Sequence, residues 1–255
     1  MNVGLQKTSL VNFPGRVAAT VFLPGCNLRC PYCHNASLAR ASVVSGPKPA
    51  DADDTTWVGI DTVYEHLEKR RNVLGGLAIS GGEPLLSPAL GDLVRKARAL
   101  NLAVKIDTNG TLPDRLRAIL DDPETRPDMV ACDVKTSPAR YGELATESAA
   151  GEKAGVDLAR SLAILAAESR MDQAGTGKKP LRVEYRTVLV PGLVGETELR
   201  EIARLLPENA DWELASFVPG VCLEPEWNDR VPYGPEETKA LVAFAHSFRS
   251  GTKLR

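Results

Sequence analysis

Short apolar, β-branched runs alternate along this chain with longer stretches in which apolar residues recur every three or four positions. The first such run, Val17-Ala18-Ala19-Thr20-Val21-Phe22-Leu23, has the continuous apolar character of a strand buried in a parallel sheet. Pro14-Gly15 closes the opening segment 4–16 before it, and Pro24-Gly25 ends it. Further strands are predicted at 75–80, 102–107, 128–134, 183–190 and 212–218. A helix is predicted around Ile60, Asp61, Val63, Tyr64 and Leu67, with others over 88–100, 113–121, 156–168, 196–206 and 235–248. Strands alternating with helices, with no internal repeat and no obvious linker, predict one α/β domain over 1–255. Its core would span about 15–220, ahead of the C-terminal helix 235–248. The polar, small-residue stretches 40–58, 136–155 and 170–180 read as loops.

The polar and glycine-rich motifs fall at the C-terminal ends of these strands, which is where ligands bind in parallel sheets. Gly25-Cys26-Asn27-Leu28-Arg29-Cys30-Pro31-Tyr32-Cys33-His34 follows the first strand and carries three of the five cysteines. Their Cys-x3-Cys-x2-Cys spacing lets three thiolates converge on one inorganic centre. Two readings follow. Cys26, Cys30, Cys33 and His34 are a chemically acceptable set for structural zinc. Alternatively, three thiolates hold an iron–sulfur cluster and leave a fourth position for exchangeable chemistry. Cys132 and Cys222 stand far from the cluster in sequence and read as buried, apolar thiols.

Composition adds little beyond limits. An apolar fraction of 43%, a charged fraction of 25% and a net charge of −2 are those of an ordinary globular chain. No block of one sign suggests a nucleic-acid partner. No apolar run approaches the roughly 20 residues of a membrane span. Met1 to Leu10 lacks the pattern of a signal peptide, so the expected location is cytoplasmic. In that reducing compartment clustered cysteines are ligands more often than disulfides.

Cys-x3-Cys-x-aromatic-Cys, with Tyr32 as the aromatic, resembles the signature of the radical S-adenosylmethionine (SAM) superfamily, and Gly81-Gly82-Glu83-Pro84 resembles its second hallmark. The ordered motifs KTSLVNFPG at 7–15, FLPGCNLRCPYCHN at 22–35, SGGEPLL at 80–86, KIDTNGT at 105–111 and ACDVKT at 131–136 narrow the likeness. With YRTVLVPG at 185–192 and SFVPGVCLEPEW at 216–227, they resemble the longer anaerobic ribonucleoside-triphosphate reductase activating proteins. Pyruvate formate-lyase activating enzymes are close relatives of that group. Asn12-Phe13-Pro14-Gly15, in place of the Asp-Gly-Pro-Gly of the latter, favours the reductase branch.

The resemblance implies a partial (β/α)6 radical SAM barrel with its active site at the strand C-terminal ends. It implies a [4Fe–4S] cluster on Cys26, Cys30 and Cys33, with SAM chelating the open iron. Tyr32 would then contact the adenine, and Gly81 and Gly82 would let backbone approach the SAM amino group. Glu83 would shape that turn, while Asp107, Thr108 and Asn109 would meet the ribose and methionine carboxylate. Asp133 and Lys135 match the Asp-x-Lys pair of these activators, and Arg186 would reach the same region. A monovalent cation near Asp107, Thr108 and Asp133 is a further implication. The implied partners are a glycyl radical enzyme, in the first place anaerobic ribonucleotide reductase, and a one-electron donor such as flavodoxin. The competing expectations are a pyruvate formate-lyase type activase, a small-molecule enzyme of the 7-carboxy-7-deazaguanine synthase type, and a zinc-binding interaction domain.

Overall fold

Residues 18–20, 76–79 and 104–106 are buried almost without exception, because their strands carry few polar side chains on either face. The computed structural model describes residues 1–43, 56–145, 148–170 and 180–255. It divides into two compact units: Met1–Asn27, Asn35–Thr108 and Asp114–Val130 in the first, Leu28–His34, Asn109–Pro113 and Ala131–Arg255 in the second. The strands form a mostly parallel α/β sheet that does not close, the fold class expected from the alternating pattern.

In the first unit the strands are β1 (Asn2–Ser9), β2 (Ala18–Leu23), β3 (Thr56–Gly59), β4 (Gly76–Gly81) and β5 (Ala103–Thr108), in the order β3-β1-β2-β4-β5. The pairs β2–β4 and β4–β5 are parallel, with Ala18 opposite Gly76 and Gly76 opposite Ala103. β1 runs antiparallel to both β2 and β3. Helices α1 (Ala36–Arg40), α2 (Ile60–Arg70), α3 (Leu90–Ala99) and α4 (Pro113–Asp121) fall in or border this unit. The side chain of Asn12 ties the opening segment down by donating to Gln6 Oε1 at 2.8 Å and Thr20 Oγ1 at 2.9 Å.

Strand β6 (Met129–Asp133) passes from the first unit into the second at Ala131. The second unit continues with α5 (Ser148–Ser169), β7 (Arg182–Leu189), α6 (Glu196–Leu205), β8 (Asp211–Ser216), α7 (Pro235–Phe248) and β9 (Thr252–Leu254). Here the strand order is β6-β7-β8-β9, with β7, β8 and β9 parallel. A buried polar chain fixes the register: Trp212 Nε1 donates to Thr187 Oγ1 at 3.0 Å, which donates to the Val134 carbonyl at 2.8 Å. Thr187 and Trp212 are at most 2% exposed, so neither group has water to fall back on.

Several expectations need correction. The opening segment, read only as an entry closed by Pro14-Gly15, carries a strand, β1 at residues 2–9, and β3 and β9 are further strands beyond the six read from the sequence. The predicted loop 136–155 contains a 3-10 segment, Pro138–Leu144, and the first turns of α5. Of the predicted loops, positions 44–55, 146–147 and 171–179 lie outside the described residues.

Glycine explains why α5 starts so early. A Cβ on Gly151 would lie 2.3 Å from Gly142 Cα, and one on Gly155 would lie 2.2 Å from the Pro138 carbonyl oxygen. The helix packs its own backbone against the 3-10 segment, so only glycine fits at those positions. In an exposed helix Gly→Ala gains about 1 kcal/mol. At 2.2 Å from fixed backbone, overpacking costs of about 1–3 kcal/mol reverse that sign. Gly155→Ala is therefore expected to lower thermal stability, and an unchanged or higher Tm in a melting scan would contradict this packing.

Candidate active site

In the first unit, the chain leaving β2 is steered into Cys26 by backbone contacts that leave no room for side chains. Gly25 has φ +88°, and its N–H donates to the Leu38 carbonyl at 2.8 Å. From the other side comes the end of β4. Gly82 N–H donates to the Leu23 carbonyl at 2.9 Å and Glu83 N–H to the Gly25 carbonyl at 2.7 Å. A Cβ on Gly81 would stand 2.2 Å from the Leu23 oxygen, and one on Gly82 only 2.1 Å from the Gly25 oxygen. Both glycines are thus demanded by the chain's own backbone, whatever ligand they also face.

Glu83 is fully buried. Its Oε1 accepts from Leu85 N–H at 3.1 Å and from Thr108 Oγ1 at 2.8 Å, so the carboxylate ties the β4 turn to the end of β5. Asp107, one residue earlier, forms an ion pair with the buried Lys105.

The second unit holds Leu28–His34 and, with it, Cys30 and Cys33. Cys33 N–H donates to the Cys30 carbonyl at 3.0 Å, closing a tight turn. Arg29 N–H donates to the Leu144 carbonyl at 2.7 Å, and Glu224 N–H to that of Pro31 at 3.0 Å. His34 Nε2 lies 2.7 Å from the Val218 carbonyl oxygen; a carbonyl only accepts, so this nitrogen carries the proton. That use takes His34 Nε2 out of a zinc ligand set. Tyr32 packs edge-on to Phe217, with centroids 6.5 Å apart, and tilted against Trp227 at 6.2 Å. Its hydroxyl is buried without a hydrogen-bond partner among the described residues. Burial pushes the Tyr32 hydroxyl pKa well up, helped by Cys30 and opposed by Lys135.

Asn109 Oδ1 accepts from Thr111 N–H at 3.0 Å and Thr111 Oγ1 at 2.6 Å, fixing the turn that Gly110 completes at φ +73°. At the end of β6, Asp133 Oδ2 accepts from Lys135 Nζ at 2.9 Å and Oδ1 from Arg186 Nε at 2.7 Å. Burial works against the Asp133 carboxylate, but the adjoining Arg186 and Lys135 outweigh it and hold its pKa well below the usual carboxylate range. Lys135 is pushed the other way: burial lowers it, and Asp133, Tyr32 and Cys30 together raise it well above the ordinary lysine value. These shared influences place Cys30, Tyr32, Asp133 and Lys135 in one neighbourhood of the second unit.

Sequence reasoning missed Tyr141, whose hydroxyl accepts from Lys135 N–H at 3.1 Å. It lies in a stretch read as loop and offered no signal. None of the five cysteines is joined in a disulfide. Among the described residues no three His, Cys, Asp or Glu side chains gather around a point fit for one metal ion. A cubane cluster needs no such point, because each thiolate binds a different iron. Three closely spaced cysteines outside any disulfide, with the Tyr32 hydroxyl buried beside them and without a hydrogen-bond partner among the described residues, fit a centre completed by a bound group.

The sign of the Asp133 shift gives a pH dependence. With its folded pKa depressed below the unfolded value near 3.9, Asp133 stabilises the fold fully above about pH 4. That contribution is lost as pH falls from there toward the folded value. Asp133→Asn is expected to cost about 1.5–3 kcal/mol at pH 7 and to flatten the acid limb of stability against pH. Denaturant titrations between pH 2 and 7 check this, and parallel curves for the two proteins would contradict it.

The chain has recognisable relatives among known proteins. The model of the radical SAM superfamily matches residues 20–167. A protein of Methanocaldococcus jannaschii that bears the provisional name of a glycyl-radical enzyme activating enzyme is 27% identical, over 99% of this chain and 94% of its own length. A 7-carboxy-7-deazaguanine synthase of Methanopyrus kandleri is 35% identical, over 48% of this chain and 51% of its own. A solved structure of TYW1 with a lysine-pyruvate adduct bound has a TM-score of 0.58 at 17% identity, covering 91% of this chain and 74% of that one. No helix among the described residues is long and apolar enough to cross a membrane. With more than half of its length matched by that one model, the chain belongs to the radical SAM superfamily, whose members use a [4Fe–4S] cluster and SAM.

Proposed function

We propose that this protein is a glycyl-radical-enzyme activase, with anaerobic ribonucleoside-triphosphate reductase as its partner and a reduced flavodoxin-type protein as its electron donor. The observation that carries this reading is the likeness to the Methanocaldococcus jannaschii protein, which runs nearly end to end in both chains. The cytoplasm is the compartment the reading needs, since free thiols and low-potential donors persist there.

In this reading Cys26, Cys30 and Cys33 hold the cluster, and SAM occupies the position that three thiolates leave open. When bound, the cluster and SAM would supply one chemistry, the one-electron reductive cleavage of SAM to a 5′-deoxyadenosyl radical able to take a Cα hydrogen from a glycine of the partner. The chain's own residues do the rest. Tyr32 offers its ring and backbone to the adenine. Asp107, Thr108 and Asn109 face the ribose and the methionine carboxylate, and the Gly81–Gly82 turn faces the amino group.

Arg186 and Lys135 both pair with Asp133, which gives this part of the site a fixed ionic balance. Because Asp133 stays ionised well into acid, that balance holds across the physiological range. Glycine suits the role of target, since without a Cβ its Cα–H is open to attack.

A second reading has its own support in the similarity to the Methanopyrus kandleri synthase: a radical SAM enzyme acting on a small, purine-like molecule without a protein partner. The two separate cleanly. Reduced, reconstituted protein and SAM are mixed anaerobically with each glycyl radical enzyme encoded in the same genome. A carbon-centred EPR doublet with a large α-proton splitting is expected with the reductase. Silence from every candidate, with 5′-deoxyadenosine accumulating only when a small molecule is added, would establish the second reading instead.

A further inference from the structure

The stretch 216–227 carries a motif, SFVPGVCLEPEW, to which the cluster and SAM assign no role. In the second unit it lies along the cysteine turn and runs opposite to it. Glu224 N–H donates to the Pro31 carbonyl at 3.0 Å, while the Val218 carbonyl accepts from His34 Nε2 at 2.7 Å. As one stretch advances from 31 to 34, the other falls back from 224 to 218. Between those two contacts sit Cys33 on one side and Cys222 on the other. The Tyr32 ring packs against both Phe217 and Trp227, which holds the two stretches together.

The loop turns Cys222 inward. Val218 and Val221 are 61% and 75% exposed, whereas Cys222 and Leu223 are buried. Asn228 Oδ1 accepts from Cys222 N–H at 2.7 Å and fixes its backbone. Burial pushes the Cys222 thiol pKa up and the neighbouring Cys33 pushes it further, against a hydrogen bond from the Gly220 backbone. Cys30 acts on a different set of groups, Tyr32, Lys135 and Tyr141, so its thiol is turned toward those. Cys33 is half-buried, with the buried thiol of Cys222 behind it.

Two thiols in this arrangement matter once a cluster has been destroyed. A thiolate that has lost its iron is open to peroxide: it gives a sulfenic acid, and a second oxidation gives a sulfinic acid that is not recovered. A thiol beside it intercepts the first product. We propose that Cys222 is the resolving cysteine of Cys33, and that the two form a reversible disulfide when the cluster is lost. In the first step hydrogen peroxide oxidises the Cys33 thiol to the sulfenic acid and is itself reduced to water. In the second, the Cys222 sulfur displaces the hydroxyl, which leaves with the Cys222 proton as water, and the S–S bond forms. A dithiol reductant restores both thiols and is oxidised in their place, so Cys33 can bind iron again. The inference goes beyond the activase reading and does not depend on which partner the enzyme serves.

Mass spectrometry tests this. Reconstituted holoenzyme is treated with hydrogen peroxide until its iron–sulfur absorbance is gone, then alkylated under denaturing conditions without reductant and digested. Peptides joined through Cys33 and Cys222 are expected, and a dithiol should separate them. After the same treatment the link should persist in Cys30→Ser and be absent from Cys33→Ser and Cys222→Ser. Before peroxide, Cys222→Ser should carry as much cluster as wild type, which separates a resolving role from a structural one. After peroxide, dithiol and anaerobic reloading with iron and sulfide, that variant should recover less than about half the cluster that wild type recovers, because its Cys33 passes on to the sulfinic acid. A peroxide-treated wild-type chain whose Cys222 is still fully alkylated, or one in which Cys30 is joined to Cys33 instead, would overturn the proposal. Neither result would touch the activase reading, which the glycyl radical itself tests.

Discussion

The backbone of Gly81 and Gly82 lies so close to that of Leu23 and Gly25 that no side chain can come between them. Much of the first unit's site follows from that approach. Two backbone hydrogen bonds, from Gly82 to Leu23 and from Glu83 to Gly25, set where the chain leaves β2 and therefore where Cys26 begins. The same turn aims the buried Glu83 carboxylate at Thr108, so the ends of β4 and β5 are held together by one acceptor. Glutamate here is a structural acceptor inside the protein; losing it would remove the acceptor that Leu85 N–H and Thr108 Oγ1 share in a dry place.

The second unit solves a different problem, which is to keep charge at partly buried strand ends. Asp133 is acceptable there because two cations share it, and Arg186 and Lys135 are acceptable because Asp133 answers them. The alternation continues to Glu213 and Lys253 along one register, where parallel strands bring side chains of one face into line. At its far end the pairing loosens, with contacts of 3.3 and 3.8 Å in place of 2.7 and 2.9 Å.

Much of this was legible in the sequence, for identifiable reasons. Continuous apolar runs such as Val17–Leu23 mark strands buried on both faces, and the motif residues follow those runs directly. The missed elements lack such a signal. In β1, buried Val3 and Leu5 give way to Gln6, Lys7 and Thr8, so the strand shows almost no pattern. β9 is three residues with a lysine in the middle. The start of α5 was hidden by Gly151 and Gly155, which argue against helix by propensity but are required by the backbone packed beside them. The neighbours of Glu213 could not be read either: alternation assigns a residue to a face, but only the strand order shows Arg186 and Lys253 on either side of it.

In the activase reading everything depends on Cys26, Cys30 and Cys33 holding a [4Fe–4S] cluster with one iron open to SAM. The decisive measurement is the EPR spectrum of the reduced, reconstituted protein before and after SAM is added, with iron and sulfide determined on the same sample. One [4Fe–4S] cluster per chain is expected, with a change in its signal when SAM binds, and both should be lost in Cys30→Ala. A cluster signal indifferent to SAM, or a colourless protein that retains zinc in place of iron, would contradict it.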